Sequence, residues 1–441
     1  MMANYAARRA ALLAQMLPGS VAILATAPEV PRNSDCDYPY RHDSYFYYLT
    51  GFTEPDSAVA LVAASATAPA RAILFCRAKN TEREIWDGFR HGPEAARASF
   101  GFDGAFPIEE LDVEMTRLLA DAPAIYYALG GSLDAQVKVW RNNVRQKARS
   151  GVTAPAIAHD INGMLDAMRL LKDTQEQQLM RRAAAISSAA HARAMRATRP
   201  GMHEYVLEAE LLYEFRHSGA QFPAYSSIVA GGDNACILHY SANNAVLKDG
   251  ELVLIDAGCE LDGYASDITR TWPVNGRFSG PQRALYELVL AAQQAALDVV
   301  RPGLPYSAIH EAAVQVLAQG MLDLGLLDRQ KSGGVQDVIA DKAYMPFYMH
   351  GTSHWLGMDV HDVGAYRDTD APGKPWRALQ AGMVLTVEPG IYVRPGAVVP
   401  EQFWHTGIRI EDDVLVTPQG HEVFSTAPKS VAEIEQLMSQ D

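Results

Sequence analysis

The chain has 441 residues, 48% hydrophobic and 20% charged, with a formal net charge of -14. That balance is ordinary for a soluble globular protein with room for two or three domain cores, of which we count two. No apolar run reaches the length of a membrane span, and a negative chain without a basic run opposes the electrostatic term that dominates nucleic-acid binding.

In chain order, Arg8 and Arg9 precede a short apolar stretch at 10–16 that faintly mimics a signal peptide. It is helix-like and interrupted by Pro18-Gly19, so it reads as an amphipathic first helix. Short buried strands are predicted over 20–25, 58–63, 72–76 and 124–128, and helices over 94–100 and 108–119, the alternation of an α/β domain. Within it, residues 39–52 are dense in aromatics and read as a buried cluster or the lip of a subunit contact. A boundary falls near 172: a helical pattern over 164–171 gives way to Asp173 with Glu176 three residues on, a capping-box start for a helix to about 197. Arg199-Pro-Gly201 stops that helix. A helix over 204–217 follows, then a loop rich in Gly, Ser and Asn, an acid-bearing hairpin, helices over 282–300 and 306–324, and a second acid-bearing strand pair. A repeated order of helices then acidic strands argues for two related halves facing each other. Cys36, Cys76, Cys236 and Cys259 show no C-x-x-C spacing, so neither a zinc knuckle nor a disulfide framework is expected and a reducing cytoplasm fits.

The chemistry starts from two near-copies of one pattern. Gly250-Glu-Leu-Val-Leu-Ile-Asp256-Ala-Gly258 and Gly382-Met-Val-Leu-Thr-Val-Glu388-Pro-Gly390 each end an apolar strand in an acid. Acids are rarely fully buried unless paired or bound to metal, so a buried strand ending in one asks for a cation. If Asp262-Gly263 forms a two-residue turn, residue 264 opposes 261 and 267 opposes 258. Asp256 and Asp267 then become diagonal neighbours on one face, roughly 7 Å apart at the backbone. Glu388 and Glu411 would do the same from the second strand pair, with Arg409 on the face of Glu411 to orient a carboxylate or a substrate oxygen. His350, His354 and His361 cluster among glycines, and His239 lies between a Gly-rich and an Asn-rich loop. One imidazole and four carboxylates suit manganese, or else cobalt, zinc or iron. Their four negative charges match two divalent cations, which lower the pKa of a bridging water and hold a scissile carbonyl, the apparatus of hydrolysis. Competing sites fail: His203-Glu204, His310-Glu311 and His421-Glu422 lack the second histidine of H-E-x-x-H, Trp355 stands where a nucleophile elbow needs glycine, and no phosphate-cradling loop occurs.

These residues resemble a known family. Ile255-Asp-Ala-Gly258, Ser266-Asp-Ile-Thr-Arg270, His350-Gly-Thr-Ser-His-Trp-Leu-Gly357, Thr386-Val-Glu-Pro-Gly390 and Ile408-Arg-Ile-Glu-Asp-Asp413 are similar to the motifs of the pita-bread metallopeptidases, and most of all to the aminopeptidase P group. Tyr38-Pro-Tyr-Arg41 and Tyr48-Leu-Thr-Gly-Phe-Thr-Glu-Pro55 resemble that group's creatinase-like N-terminal domain. The resemblance implies an α/β N-terminal domain over residues 1–172 and an α+β pita-bread catalytic domain of two pseudo-symmetric halves over residues 173–441. It further implies one ion held by Asp267, His354, Glu388 and Glu411, and a second held by Asp256 with Asp267 and Glu411 shared. Glu388 would also assist proton movement, while His239 and His361 stabilise the tetrahedral intermediate. His350, Tyr392 and Arg409 would line the pocket around the proline, and Trp86 would reach a neighbouring subunit's site. One stretch departs from the family pattern: Phe403-Trp-His405 is bulkier than expected after Val399-Pro-Glu-Gln402.

The expected function is therefore an aminopeptidase with two divalent ions per chain, manganese with zinc or cobalt as alternatives, that cleaves between an N-terminal residue and a following proline. Its partners would be such peptides, with no nucleic acid and no membrane, and a second copy in a homo-oligomer, dimer or tetramer. The rivals are a prolidase restricted to X-Pro dipeptides and a binding protein that keeps the shell without catalysis.

Overall fold

Val-Ala-Ile-Leu-Ala at 21–25 and Ala-Val-Ala-Leu-Val at 58–62 are short and apolar on both faces, which suits strands covered on both sides. They sit side by side in the middle of a six-stranded sheet, ordered Gly104–Pro107, Arg71–Cys76, Ala58–Val62, Val21–Ala25, Ala124–Tyr127, Ile157–Asp160. Two of its pairings are antiparallel and three parallel. The computed structural model describes residues 5–396 and 399–439, in two compact units, Met1–Met168 and Arg169–Asp441. None of its described helices is long and apolar enough to cross a membrane.

In the first unit the sheet packs a core that includes Trp140, whose indole N–H donates to Asp112 at 2.6 Å. The opening helix is Tyr5–Leu13, and its Arg8 and Arg9 are buried rather than solvated. Arg9 donates to the carbonyls of Leu49 (3.0 Å) and Gly101 (2.6 Å). The aromatic stretch forms the helix Ser44–Thr50, capped by the Asp43 side chain. Phe46, Tyr48, Leu49 and Phe52 are buried there within the unit, while Tyr38 stays 54% exposed.

The second unit opens on the helix Thr174–Ala197, whose Asp173 and Glu176 form a complete capping box. Helix Glu204–His217 packs beside it. The strand Leu252–Asp256 lies between Ile228–Gly231 and Thr269–Pro273. At the hairpin, Asp262 (φ 49°) and Gly263 (φ 80°) are both left-handed, as a type I′ turn requires, and Leu261 opposes Tyr264. Nearer the strand ends, Asp256 opposes Thr269. Between these pairings a Cβ on Gly258 would stand 1.8 Å from the Ser266 carbonyl oxygen, so only glycine lets the backbones approach where the two aspartates converge.

The other half repeats the order. Helices Gly280–Asp298 and Ser307–Asp323 precede the pairs Val384–Val387 with Asp412–Thr417 and Gly390–Val393 with Thr406–Arg409. The halves are stitched at the acids: the Glu411 N–H donates to Thr269 O at 3.0 Å, and the Asp267 N–H to an Asp413 carboxylate oxygen at 3.0 Å.

The division between units lies just ahead of residue 172 because Arg169 and Lys172 belong to the second unit's interior. Arg169 reaches Asp362 at 2.7 Å and Lys172 reaches it at 2.8 Å, all three side chains being buried. Burial alone would raise the Asp362 pKa, but the Lys172 and Arg169 charges prevail and lower it. Asp362→Asn should therefore destabilise the second unit by about 3 kcal/mol, since it takes the carboxylate from buried Lys172 and leaves Arg169 with Asp359 at 2.8 Å. In denaturant titrations the gap between wild type and variant should hold above the unfolded-state pKa of about 3.9 and close as pH falls through the lower folded-state value.

Candidate metal centre and substrate cavity

Strand ends deliver the acids. Asp256 closes Leu252–Asp256, Glu388 follows Val384–Val387, and Asp267 and Glu411 sit in the breaks just before Thr269–Pro273 and Asp412–Thr417. His354 is brought alongside by its own N–H to the Thr386 hydroxyl (3.1 Å) and by its carbonyl, which accepts from the Thr386 N–H. All five line one cavity of about 300 Å³ with His239, His350, Ser353, His361 and Arg409. A contiguous cavity of about 370 Å³ shares His239, Asp256, Asp267 and His361 and adds Tyr225 and Tyr240.

Candidate ligand atoms of Asp267, His354 and Glu411 all lie within 4.8 Å of one another. His354 Nε2 stands 3.3 Å from Asp267, 3.6 Å from Glu388 and 4.0 Å from Glu411. Its Nδ1 lies 3.0 Å from the Trp355 carbonyl, which fixes Nδ1 as the donor and turns Nε2 toward the acids. Asp256 is tied in by the Tyr225 hydroxyl, which lies 2.5 Å from both Asp256 and Asp267. Arg409 spans the other side. It donates to Asp256 at 2.6 Å, to the Thr269 hydroxyl at 3.1 Å and to the Tyr392 hydroxyl at 3.0 Å. Thr269 in turn donates to Glu411 at 2.6 Å.

The charges follow from this crowding. Burial, then the Asp267 and Asp256 charges, lift Glu388 to about 7 against the pull of His354 and Arg409. Burial and the three other acids push Glu411 well above the usual carboxylate range. Burial also raises Asp256, with Arg409 opposing. For Asp267 the burial penalty is outweighed by His354 and Tyr225, and its pKa falls. His354, despite burial, is raised to about 9 by Asp267 and Glu388. Four carboxylates with one permanent cation near them are short of positive charge. Their hard oxygen donors, joined by one imidazole, fit divalent cations and would leave a pair of them electrically balanced.

The remaining predicted residues divide by place. His350 Nε2 lies 2.8 Å from the Tyr392 hydroxyl and its Nδ1 lies 2.7 Å from the Gly351 carbonyl, so a chain of donors runs from Arg409 through Tyr392 to a neutral His350. Burial and Arg409 hold His350 down to about 3. The His361 ring packs 4.2 Å from His354, and burial followed by the His354 charge lowers it too. His239 lies exposed on the wall of both cavities. Trp86, in the first unit, is 82% exposed on the helix Thr81–Asp87. In the atypical stretch, residues 397 and 398 lie outside the described residues, Phe403 is buried, and His405 meets Asp233 at 3.1 Å rather than any of the acids.

Tyr225 and Thr269 went unpredicted. Thr269 was within reach, since strand alternation from Asp267 puts it on the same face. Tyr225 sits in a segment without periodicity, and nothing in the sequence around it signals two carboxylate partners.

Comparison with known proteins gives the chain's family. The model of metallopeptidase family M24 matches residues 178–418, and that of the aminopeptidase P N-terminal domain matches residues 5–126. The chain is similar to the Xaa-Pro aminopeptidase of Escherichia coli (strain K12), 45% identical over 436 residues that cover 98% of this chain and 96% of that one. It is likewise similar to the Xaa-Pro aminopeptidase of Haemophilus influenzae, at 44% over 98% and 96% of the two chains. Among solved structures, Pseudomonas aeruginosa aminopeptidase PepP superposes with a TM-score of 0.95 at 51% identity, over 99% of this chain and 97% of that one. Zinc-substituted E. coli aminopeptidase P in complex with product superposes at 0.94 and 44%, over 98% and 97%.

Tyr225→Phe removes one donor from two carboxylates at once. Divalent-ion affinity measured by calorimetry should fall about 10- to 100-fold while the fold is retained, as loss of a partner behind metal ligands does elsewhere.

Proposed function

Since this chain belongs to metallopeptidase family M24, with an aminopeptidase P N-terminal domain ahead of the catalytic one, we propose how its residues divide the work of removing an N-terminal residue that precedes proline. The enzyme is a metallo-exopeptidase with aminopeptidase rather than prolidase activity. The domains are taken as residues 1–172 and 173–441. The observation that carries the assignment of roles is the convergence of four carboxylates, Asp267 and Glu411 buried and Asp256 and Glu388 half-buried, with His354 on one cavity.

Asp267, His354, Glu388 and Glu411 would hold one divalent ion, and Asp256 with the shared Asp267 and Glu411 a second; manganese suits this oxygen-rich set best, with zinc or cobalt as alternatives. Such a pair supplies an acidified water and a Lewis-acid contact for the scissile carbonyl. Glu388, on the wall of the same cavity, would also take up and return protons beside the scissile bond. His239 and His361 face the same space and donate hydrogen bonds to the oxygen on which charge develops. His350 and Arg409 would line the pocket around the proline, and Tyr392, fully buried behind them and on the wall of neither cavity, would fix both through its hydroxyl. The X-Pro bond is a tertiary amide without an N–H, so recognition has to come from shape and from the carbonyls on either side. Exposed Trp86 supports a homo-oligomer, dimer or tetramer, in which it completes a neighbour's site. Four free cysteines, three of them buried, are in keeping with the cytoplasm.

Three measurements test this reading. Incubated with manganese, the enzyme should release the first residue of Arg-Pro-Pro; hydrolysis of X-Pro dipeptides alone would overturn the preference for longer peptides. Chelation should stop cleavage and lower the melting temperature, because the four acids then face one another, and manganese should restore both at about two ions per chain. Asp267→Ala should reduce hydrolysis to background whatever metal is supplied.

A further inference from the structure

We infer that Glu204 is a positioning residue for the reaction: its buried carboxylate holds the loop of residues 231–245 in the conformation that presents His239 to the substrate. The inference rests on the role proposed above for His239.

Glu204 opens the helix Glu204–His217 and is fully buried. One of its oxygens accepts from the Gly231 N–H at 2.8 Å and the Asn234 side-chain amide at 3.0 Å. The other accepts from the Tyr240 hydroxyl and the Ala245 N–H, both at 2.8 Å. A carboxylate offers about four lone-pair sites, and these donors fill them. The donors come from both sides of His239 in the chain, and Tyr240 is its immediate neighbour. The Glu204 N–H adds a bond to the Ala245 carbonyl at 2.9 Å, so the first residue of the helix holds the loop's far end by backbone and side chain together.

The loop needs such a grip. After the short turn Gly232–Cys236, the described residues form no helix or strand until Leu252. The His239 imidazole makes no hydrogen bond with any described residue, so its place on the wall of both cavities is set by its backbone. An apolar side chain at 204 would fill the space at lower desolvation cost, but it would leave the Gly231 and Ala245 N–H groups and two side-chain donors without an acceptor. Glu204 itself lines neither cavity, so it acts through the loop.

Glu204→Gln keeps size and one acceptor oxygen but turns an NH₂ toward two donors. With Arg-Pro-Pro as substrate, kcat should fall about 10- to 100-fold while KM and bound manganese stay close to wild type, the scale expected for displacing a catalytic group by roughly 1 Å. In a His239→Ala background the same change should cost less than about threefold, because the group it positions is gone. Tyr240→Phe deletes one of the four contacts and should show a smaller loss with the same dependence on His239; it carries the cycle alone if Glu204→Gln does not fold. Equal losses in both backgrounds, or loss of manganese, would mark Glu204 as merely structural and overturn the inference. Full turnover in His239→Ala alone would instead sink the role of His239, and this inference with it.

Discussion

Negative charge gathered in a buried cavity is the constraint on which the rest of the catalytic unit depends. Two like charges about 4 Å apart cost roughly 4 kcal/mol at an effective dielectric near 20, and here four carboxylates crowd around one imidazole. Every neighbour can be read as a response. Arg409 and His354 supply charge, Tyr225 and Thr269 supply donors, and the lifted pKa values of Glu388 and Glu411 show what remains unbalanced. The two halves of the fold meet at these same residues, through the Thr269–Glu411 and Asp267–Asp413 bonds. The seam of the fold and the site of chemistry are one structure.

The same constraint divides the histidines. His354 and His350 lie four positions apart, both largely buried, yet one is raised to about 9 and the other lowered to about 3. The difference is the balance around each: Asp267, at 3.3 Å, and Glu388 outweigh burial at His354, whereas at His350 burial and the Arg409 charge reached through Tyr392 prevail although Glu388 lies 3.7 Å away. A ring that attracts a proton among acids is one whose lone pair a cation can take. A ring kept neutral beside a guanidinium is suited to lining a substrate pocket without adding charge.

Much of this was legible from sequence because the signals were local. Asp173 with Glu176 announces a helix start, Asp262-Gly263 fixes a hairpin register, and that register places Asp256 and Asp267 diagonally. Residues whose partners are distant in the chain stayed hidden. The helix Ser44–Thr50 is seven residues long, too short for its periodicity to register, and is rich in aromatics that favour strands. Tyr225 reaches acids 31 and 42 positions away, and Glu204 reaches donors 27 to 41 positions away. No window of periodicity spans such distances. Arg8 and Arg9 are held in the interior by backbone carbonyls 40 and more positions away, partners that the local pattern of an amphipathic helix does not show.

The site also separates what must be rigid from what must reach. The acids proposed as metal ligands stand at strand ends, where the sheet's own bonds fix them, and the Arg270–Asp412 pair, fully buried, holds the backbone on the far side of Glu411 through its carbonyl. His239 and His361 come instead from loops, which can approach a substrate from outside the sheets but lack a ladder to set their backbone. Each loop is pinned by one buried carboxylate: Asp362, next to His361, anchors on Arg169 and Lys172, and Glu204 gathers four donors around His239. The two anchors differ in kind because their loops do. Around Asp362 the interior supplies cations, so an ion pair suffices; the four donors that meet Glu204 are all neutral, and a carboxylate is the one side chain able to satisfy four of them at once.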